Sequence, residues 1–412
     1  MALNFIWAGF FIIAFLVAIY KAFLAPETNP EIFSEIMKVL FERAELGFKL
    51  SLFLTGILAL WMGVMKIGEK GGMIKILSKA VSPLFTKLFP EVPKDHPAIG
   101  AMMMNFSANM LGLDNAATPL GLKAMNELQK LNPNKDTASN AQIMFLVLNT
   151  SGLTLIPVSI LAYRAAAGSE NPTIVFVPIL LATFFSTIAG LLVTALVQRL
   201  QIFNKVVLAY LGGMSLLILG LALYLRTLSK DEIAVFTSLL SNILLFGVIV
   251  SFIAVGLWKK INVYDAFIEG AKDGFQVAVT IIPYLVAMLT AIGVFTASGA
   301  MDYILDGFRY VFSHMGMDTR FVDGLPTAFL KPLTGGGARA AMIESWEQFG
   351  VDSFVGYLTS ILQGSTETTF YVLAVYFGSV GVKKVRNAVT LGLIADFVGI
   401  VSAILITYWL FG

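Results

Sequence analysis

Uninterrupted apolar runs recur along the chain at 4–24, 47–67, 173–200, 204–226, 232–257, 277–297 and 387–411. Each approaches or exceeds the roughly 20 residues that a membrane-crossing helix needs, so the pattern predicts transmembrane spans there. Two further runs, 140–163 and 353–377, are interrupted midway by polar clusters, NTSG at 149–152 and QGSTETT at 363–369. Segments 97–127 and 321–349 are too short and too rich in Gly, Pro and Asn for plain spans; they are predicted to dip into the membrane and return as re-entrant hairpins. Amphipathic stretches at 31–47 and 71–89 are expected to lie flat at the interface. The start, MALNFIWAGFF, lacks the positively charged region of a cleaved signal peptide, so 4–24 reads as a retained first span.

The order of these features occurs twice. A span opened by Gly47-Phe48 and one opened by Gly274-Phe275 are each followed by an amphipathic stretch, a Gly-rich short segment, a polar-broken span and a final span. In this register DNAAT at 114–118 falls where ARAAM at 338–342 falls, which makes Asn115 and Arg339 counterparts. An internal duplication is expected. Short loops carrying Lys259-Lys260 and Lys383-Lys384-Val385-Arg386 favour a cytoplasmic N-terminus by the positive-inside rule. An odd number of crossings then separates the two copies, so the second is inverted relative to the first.

Composition agrees with the span pattern. The chain is 57% apolar and 13% charged, against about 25% charged residues in soluble domains. Its net charge of +2 is too small to suggest nucleic-acid binding, and no basic tail is seen. With no cysteine there is no disulfide, thiolate metal site or cysteine nucleophile. His96 and His314 fall in connecting segments, and Met102, Met103 and Met104 read as packing, so no metal site is expected. There is no Walker A, HExxH or G-x-S-x-G pattern, and an enzyme is not expected.

Non-helical backbone at membrane depth is tolerated only where protein or a wet cavity satisfies it. Interrupted segments at matching places in two inverted halves therefore point to a transport site, whose free helix ends offer N–H groups to anions and carbonyls to cations. Gly335, Gly336 and Gly337 read as a hairpin tip opened toward a ligand, with Lys331 and Arg339 beside it. The first hairpin offers Asn109, Asp114, Asn115 and Thr118. The broken spans offer Asn149 and Ser151, then Gln363, Ser365, Thr366, Glu367 and Thr368. Each has a structural reading too. Arg339 and Lys331 fit as struts paired with Glu344, Glu367 or Asp114; Ser and Thr often only bond back to helix carbonyls. Intramembrane charge nonetheless makes function the default hypothesis.

Longer motifs carry a resemblance. DHPAIGAMMMNFSANMLGLDNAATPLGLKAM (95–125) with FLVLNTSGLTLIP (145–157) resembles spore maturation protein A. VYDAFIEGAKDGFQVAVTIIPYLVAMLTAIGVFTASGAMD (263–302), KPLTGGGARAAM (331–342) and LQGSTETTFYVLAVYFGSVGVKK (362–384) resemble spore maturation protein B. Both belong to the nucleoside-recognition, or Gate, group, related to concentrative nucleoside transporters and to the membrane core of ferrous iron transport protein B. The resemblance implies a fused protein with a concentrative-nucleoside-transporter-like fold and a function around the spore envelope in spore formers. QGSTET is similar to the polar Gln-Thr-Glu substrate motif of nucleoside carriers.

The expected organisation is a first transmembrane and interfacial helix at 1–46, an A-like repeat at 47–200, an additional linking span at 201–231, and a leading helix with a B-like repeat at 232–412. The expected product is an all-α polytopic protein of the bacterial cytoplasmic membrane. It would carry a small polar, anionic or zwitterionic or nucleoside-like solute, driven by H⁺ or Na⁺ or by the solute's own gradient, without a cofactor. Asp114 and Glu367 are the candidates for the coupling ion. Membrane lipids are partners in any case, and homo-oligomerisation stays open. The alternative is a non-transporting module that binds a lipid headgroup or an envelope partner.

Overall fold

The computed structural model describes residues 2–25, 29–111, 114–201 and 204–412; the side chains of 2, 3, 114–116, 230, 231 and 234 lie outside the description. Among the described residues the fold is all-α, with one isolated parallel bridge, Thr137 to Lys384. Among the described residues, seven helices are long and apolar enough to cross a membrane: Asn4–Leu24, Ile32–Gly71, Pro172–Val197, Lys205–Arg226, Val235–Trp258, Val263–Ala297 and Ala388–Phe411. The chain is a multi-pass helical membrane protein.

In chain order the helices are α1 (Ala2–Ile19), α2 (Ile32–Gly71), α3 (Met73–Leu88), α4 (Pro97–Met110), α5 (Asp114–Leu131), α6 (Asn140–Ser151), α7 (Val158–Ala166), α8 (Phe176–Val197) and α9 (Lys205–Arg226). They continue as α10 (Lys230–Trp258), α11 (Val263–Ala297), α12 (Ala300–His314), α13 (Leu325–Leu330), α14 (Gly335–Phe349), α15 (Phe354–Gly364), α16 (Thr369–Ser379) and α17 (Ala388–Phe411). Local chemistry sets many of the starts. Ser139 with Gln142 and Ser229 with Glu232 form capping boxes at α6 and α10, while Thr334 and Ser353 cap α14 and α15.

One expectation is corrected. The amphipathic stretch 31–47 is not a separate interfacial helix; it runs without a break into the first long span as the 40-residue α2, so the expected boundary at 46/47 falls inside a helix. Gly47 does not end a helix because it serves a crossing. A Cβ there would lie 3.2 Å from Val286, and one on Gly274 would lie 2.8 Å from the backbone of Ala59. These two contacts exchange when α2 and α11 are aligned at the two glycines. So do Lys66 against Gly270 and Arg43 against Gly293, each 2.6 Å from where the Cβ would be. The two Gly-Phe pairs thus mark where the long helices pack antiparallel, close enough to exclude side chains. Each long helix also takes a partner from before the other's segment: α1 packs on α11 and α10 on α2. The final helices α8 and α17 pack on each other.

The far ends of the broken helices are clasped across the molecule. Arg164, fully buried at the end of α7, donates to Asp352 Oδ1 (2.5 Å), Val351 O (2.9 Å) and Ser360 Oγ (3.0 Å) and lies over the Tyr357 ring. Beyond α16 the clasp is mostly main chain. The Lys383 and Lys384 amides donate to Asp136 O at 3.0 and 2.8 Å, the Ala138 amide donates to Lys384 O at 2.9 Å, and Arg386 reaches Ala138 O at 3.0 Å.

Candidate functional site

Both polar clusters break their helices where the pattern predicted. α6 stops at Ser151, with Gly152 turned into the left-handed region (φ +57), and helix resumes as α7 after Pro157. Gly152 is required twice over, because a Cβ would also meet the Glu367 backbone at 3.2 Å. α15 stops at Gly364 and α16 resumes at Thr369. The opened backbone is satisfied by protein. The Glu367 amide donates to Thr150 O (2.8 Å), joining break to break. The Leu155 amide donates to Met110 O (2.8 Å) and the Phe370 amide to Pro332 O (3.0 Å), joining each break to the hairpin of its own half.

A cavity of about 200 Å³ opens at this junction. α2 and α11 wall it with Trp61, Met62 and Ile281, the first break with Thr154, and α7 with Tyr163. Of the predicted site residues, Asn109, Lys331, Gly335, Arg339, Gln363, Thr366, Glu367 and Thr368 line it together. Lys331, Gln363, Thr366 and Thr368 are buried side chains, whereas Glu367 is exposed to the opening. The Gln363 Oε1 and Thr366 Oγ1 atoms have no hydrogen bond among the described residues. Arg339 lies over the Tyr163 ring, 5.0 Å from its centroid, and makes no ion pair among the described residues. Glu344, one of its anticipated partners, is instead taken by Arg43, whose Nε and Nη2 donate to it at 2.6 and 3.0 Å.

The other predicted residues fall elsewhere. Asn149 is one layer behind the cavity: it accepts from Asn109 Nδ2 (2.8 Å) and the Tyr376 hydroxyl (3.3 Å) and donates to Phe145 O (2.8 Å). Ser151 and Ser365 are buried and bond back to Leu148 and Leu362 carbonyls. Thr118 is half-buried on α5, away from the lining. The side chains of Asp114 and Asn115 lie outside the described residues. The three glycines are not an opened tip; Gly335, Gly336 and Gly337 are the first turn of α14, and the turn proper is Lys331–Thr334. Thr334 caps that helix by accepting from the Gly337 amide (3.2 Å), and a Cβ on Gly337 would press on Thr334 Cγ2 at 2.5 Å. Glycine here lets a capped helix start abut the cavity, with Gly335 in the wall.

The comparisons with known proteins fit this division. The nucleoside recognition family, Gate, matches residues 51–167 and 278–383, which include both hairpins and both breaks. The chain belongs to the Gate family. It is similar to spore maturation protein B of Bacillus subtilis (strain 168), 43% identical over 181 residues, which is 44% of this chain and 95% of that protein. It is also similar to spore maturation protein A of the same organism, 39% identical over 190 residues, 46% of this chain and 92% of that protein. The two likenesses fall on different parts of the chain, as in a fusion. No solved structure matches the chain.

Sequence reasoning missed two residues around this Gate-family cavity. Tyr163, which carries the Arg339 guanidinium, gave no signal among the many aromatics of a membrane chain. Asp396 did give one: it is the lone charged residue within the final apolar run, and an intramembrane carboxylate is rarely idle.

Proposed function

We propose that the protein is a secondary carrier of a small polar, anionic or zwitterionic solute, bound in the cavity between two inverted halves. Nucleoside-like solutes come first among the chemistries to test, in view of the family's description. The observation that carries the reading is Arg339: a guanidinium stacked on Tyr163, facing a cavity at two helix breaks, without a carboxylate partner among the described residues. Arg is a forked donor suited to carboxylate or phosphate, and the ring contact holds the guanidinium at the cavity wall. The capped start of α14 adds backbone amides on the same side, and Lys331 adds a second cation. Asn109, Gln363 and Thr368 add polar side chains to the lining for the remainder of a solute.

The inverted relation is supported by the exchange of α2–α11 contacts under alignment at Gly47 and Gly274. Alternating access then requires the break-to-break bond, Glu367 amide to Thr150 O, and the two clasps to loosen in turn. The reading places the protein in the bacterial cytoplasmic membrane with its N-terminus inside.

The test is thermal stabilisation of the purified protein by uridine, adenosine, glutamate, succinate and a uridine-diphosphate sugar, wild type beside Arg339→Ala. A ligand that binds only the folded state adds about 2.7 kcal/mol at a hundredfold excess over Kd. A stabilising compound whose effect disappears in Arg339→Ala supports the site. Equal melting of wild type and variant with every compound counts against it.

A further inference from the structure

Behind the second break lies a carboxyl group that the cavity lining does not include. Asp396 sits midway along α17 and is 1% exposed. Its Oδ2 accepts from the Thr369 hydroxyl at 2.6 Å, while Oδ1 has no hydrogen bond among the described residues. Gly392 and Gly399 flank it on the same helix face, and both are close approaches. A Cβ on Gly392 would lie 2.8 Å from Thr369 Cγ2, and one on Gly399 2.6 Å from Thr366 Cγ2. The glycines therefore seat the aspartate directly on the non-helical segment, between the two threonines. Thr366 belongs to both sides. It lines the cavity, its side chain reaches toward Asp396, and its own Oγ1 lacks a hydrogen bond among the described residues.

An ionised carboxylate with one hydrogen bond, shut away from water at membrane depth, is costly and is relieved by taking up a cation. The surroundings favour a proton. On its far side Asp396 borders a cavity of about 740 Å³ walled mostly by apolar side chains such as Phe329, Phe397 and Ile400, so few oxygens stand near Oδ1, whereas sodium would need a cage of oxygen ligands.

We propose that Asp396 is a proton-binding site behind the cavity, loaded and unloaded through the Thr366 side of the second helix break. This rests on the carrier reading for its purpose: it supplies the coupling ion that such a carrier needs. One proton from the cavity joins Oδ1, the carboxylate becomes a neutral acid, and no other bond changes. The charges facing the site are Lys331, which lines the cavity, and Glu367 in the break, with Asp318 and the Tyr408 hydroxyl on the wall of the apolar cavity behind. α6 and α8 carry no titratable residue, and α10 carries none between Glu232 and Lys259. α15 offers only Tyr357, stacked on Phe411 at the end of α17; α16 offers exposed Tyr371 and Tyr376, whose hydroxyl is turned to Asn149. An ionised Asp396 draws on the field of Lys331, and its protonation leaves that field to an anion in the cavity. Proton and anion would thereby be taken up together.

Infrared difference spectra of the purified protein across a pH titration test this without any solute. The expected result is a carboxylic-acid C=O band that appears as pH falls, is absent from Asp396→Asn, and changes its midpoint in Thr369→Val, which removes the one hydrogen bond. Asparagine is isosteric and still accepts from Thr369, and the threonine variant reports on the site if it does not fold. A band that persists unchanged in Asp396→Asn would overturn the proposal. So would a band bleached at constant pH by sodium chloride but not by choline chloride, which would make the site a sodium site. A titrating band lost in Asp396→Asn, alongside a solute series without stabilisation, leaves the proton site standing and removes the carrier reading alone.

Discussion

The two halves of the molecule share a scaffold and divide the chemistry. Each has a long helix, an amphipathic helix, a hairpin, a broken helix and a closing helix, in the same order. At the cavity the described part of the first half contributes uncharged groups: Asn109 in the lining, and Asn149, Asn105 and Tyr376 of the facing helix tied into a network behind it. The second half contributes Lys331, Arg339, Glu367 and, one layer back, Asp396. The clasps are unequal in the same way, a buried ion pair at Arg164 against a largely main-chain one at Lys384. A shared order of elements can hold its geometry while the described charges sit in one half, because backbone satisfaction at the breaks depends on main-chain partners, not on side-chain identity.

The comparison can be broken first at the clasps. Arg164→Met leaves Asp352 without its buried partner and is expected to destabilise the protein by about 3–5 kcal/mol. Arg386→Met, at the clasp that keeps its main-chain bonds, is expected to cost under about 1.5 kcal/mol. Thermal melts of the two variants in one detergent compare them, and equal losses would show the clasps to be equivalent. Next, Arg339→Ala is expected to weaken binding of a stabilising solute roughly 10- to 100-fold, the worth of a charge-assisted hydrogen bond, with little change in the melt of the unliganded protein. Arg339→Lys is expected to recover only part of this, since lysine has no forked edge. Asn109→Ala, in the uncharged half, is expected to cost severalfold at most.

The antiparallel crossing gives a packing test of intermediate size. Gly270→Leu drives a side chain into the Met62 carbonyl and is expected to cost about 1–3 kcal/mol or more. Gly220→Ala, where nothing lies within 4 Å, is expected to stay within about 0.5 kcal/mol. The smallest perturbation tests the inversion itself. On this cysteine-free background, single cysteines replacing exposed Asp95 and Met317, in matching loops of the two halves, are expected to react with a membrane-impermeant thiol reagent from opposite faces. Reaction from one face would end the inverted reading.

Much of the fold was legible in the chain because the bilayer imposes one rule, that long apolar runs become helices. All seven long runs are helical, and NTSG and QGSTETT break their helices where they stand, since no partner other than protein can satisfy open backbone there. What was not legible was packing. Gly47 and Gly274 looked like the starts of spans and are the crossing point of α2 and α11; the identity of a glycine does not say whether it ends a helix or admits a neighbour. The glycine triplet looked like an open tip and is a capped first turn, because Thr334 captures the Gly337 amide.

The sequence by itself determined the class, the positions of the helices and breaks, and the residue types that charge the second half. Only the tertiary structure decided which of those residues meet: that Glu344 belongs to Arg43, that Arg339 rests on Tyr163, and that Asp396 faces the second break. The physical reason is range. Hydropathy and capping act over a few residues along the chain, whereas an ion pair such as Arg43 with Glu344 joins residues 301 apart, and only the packed helices bring them within reach.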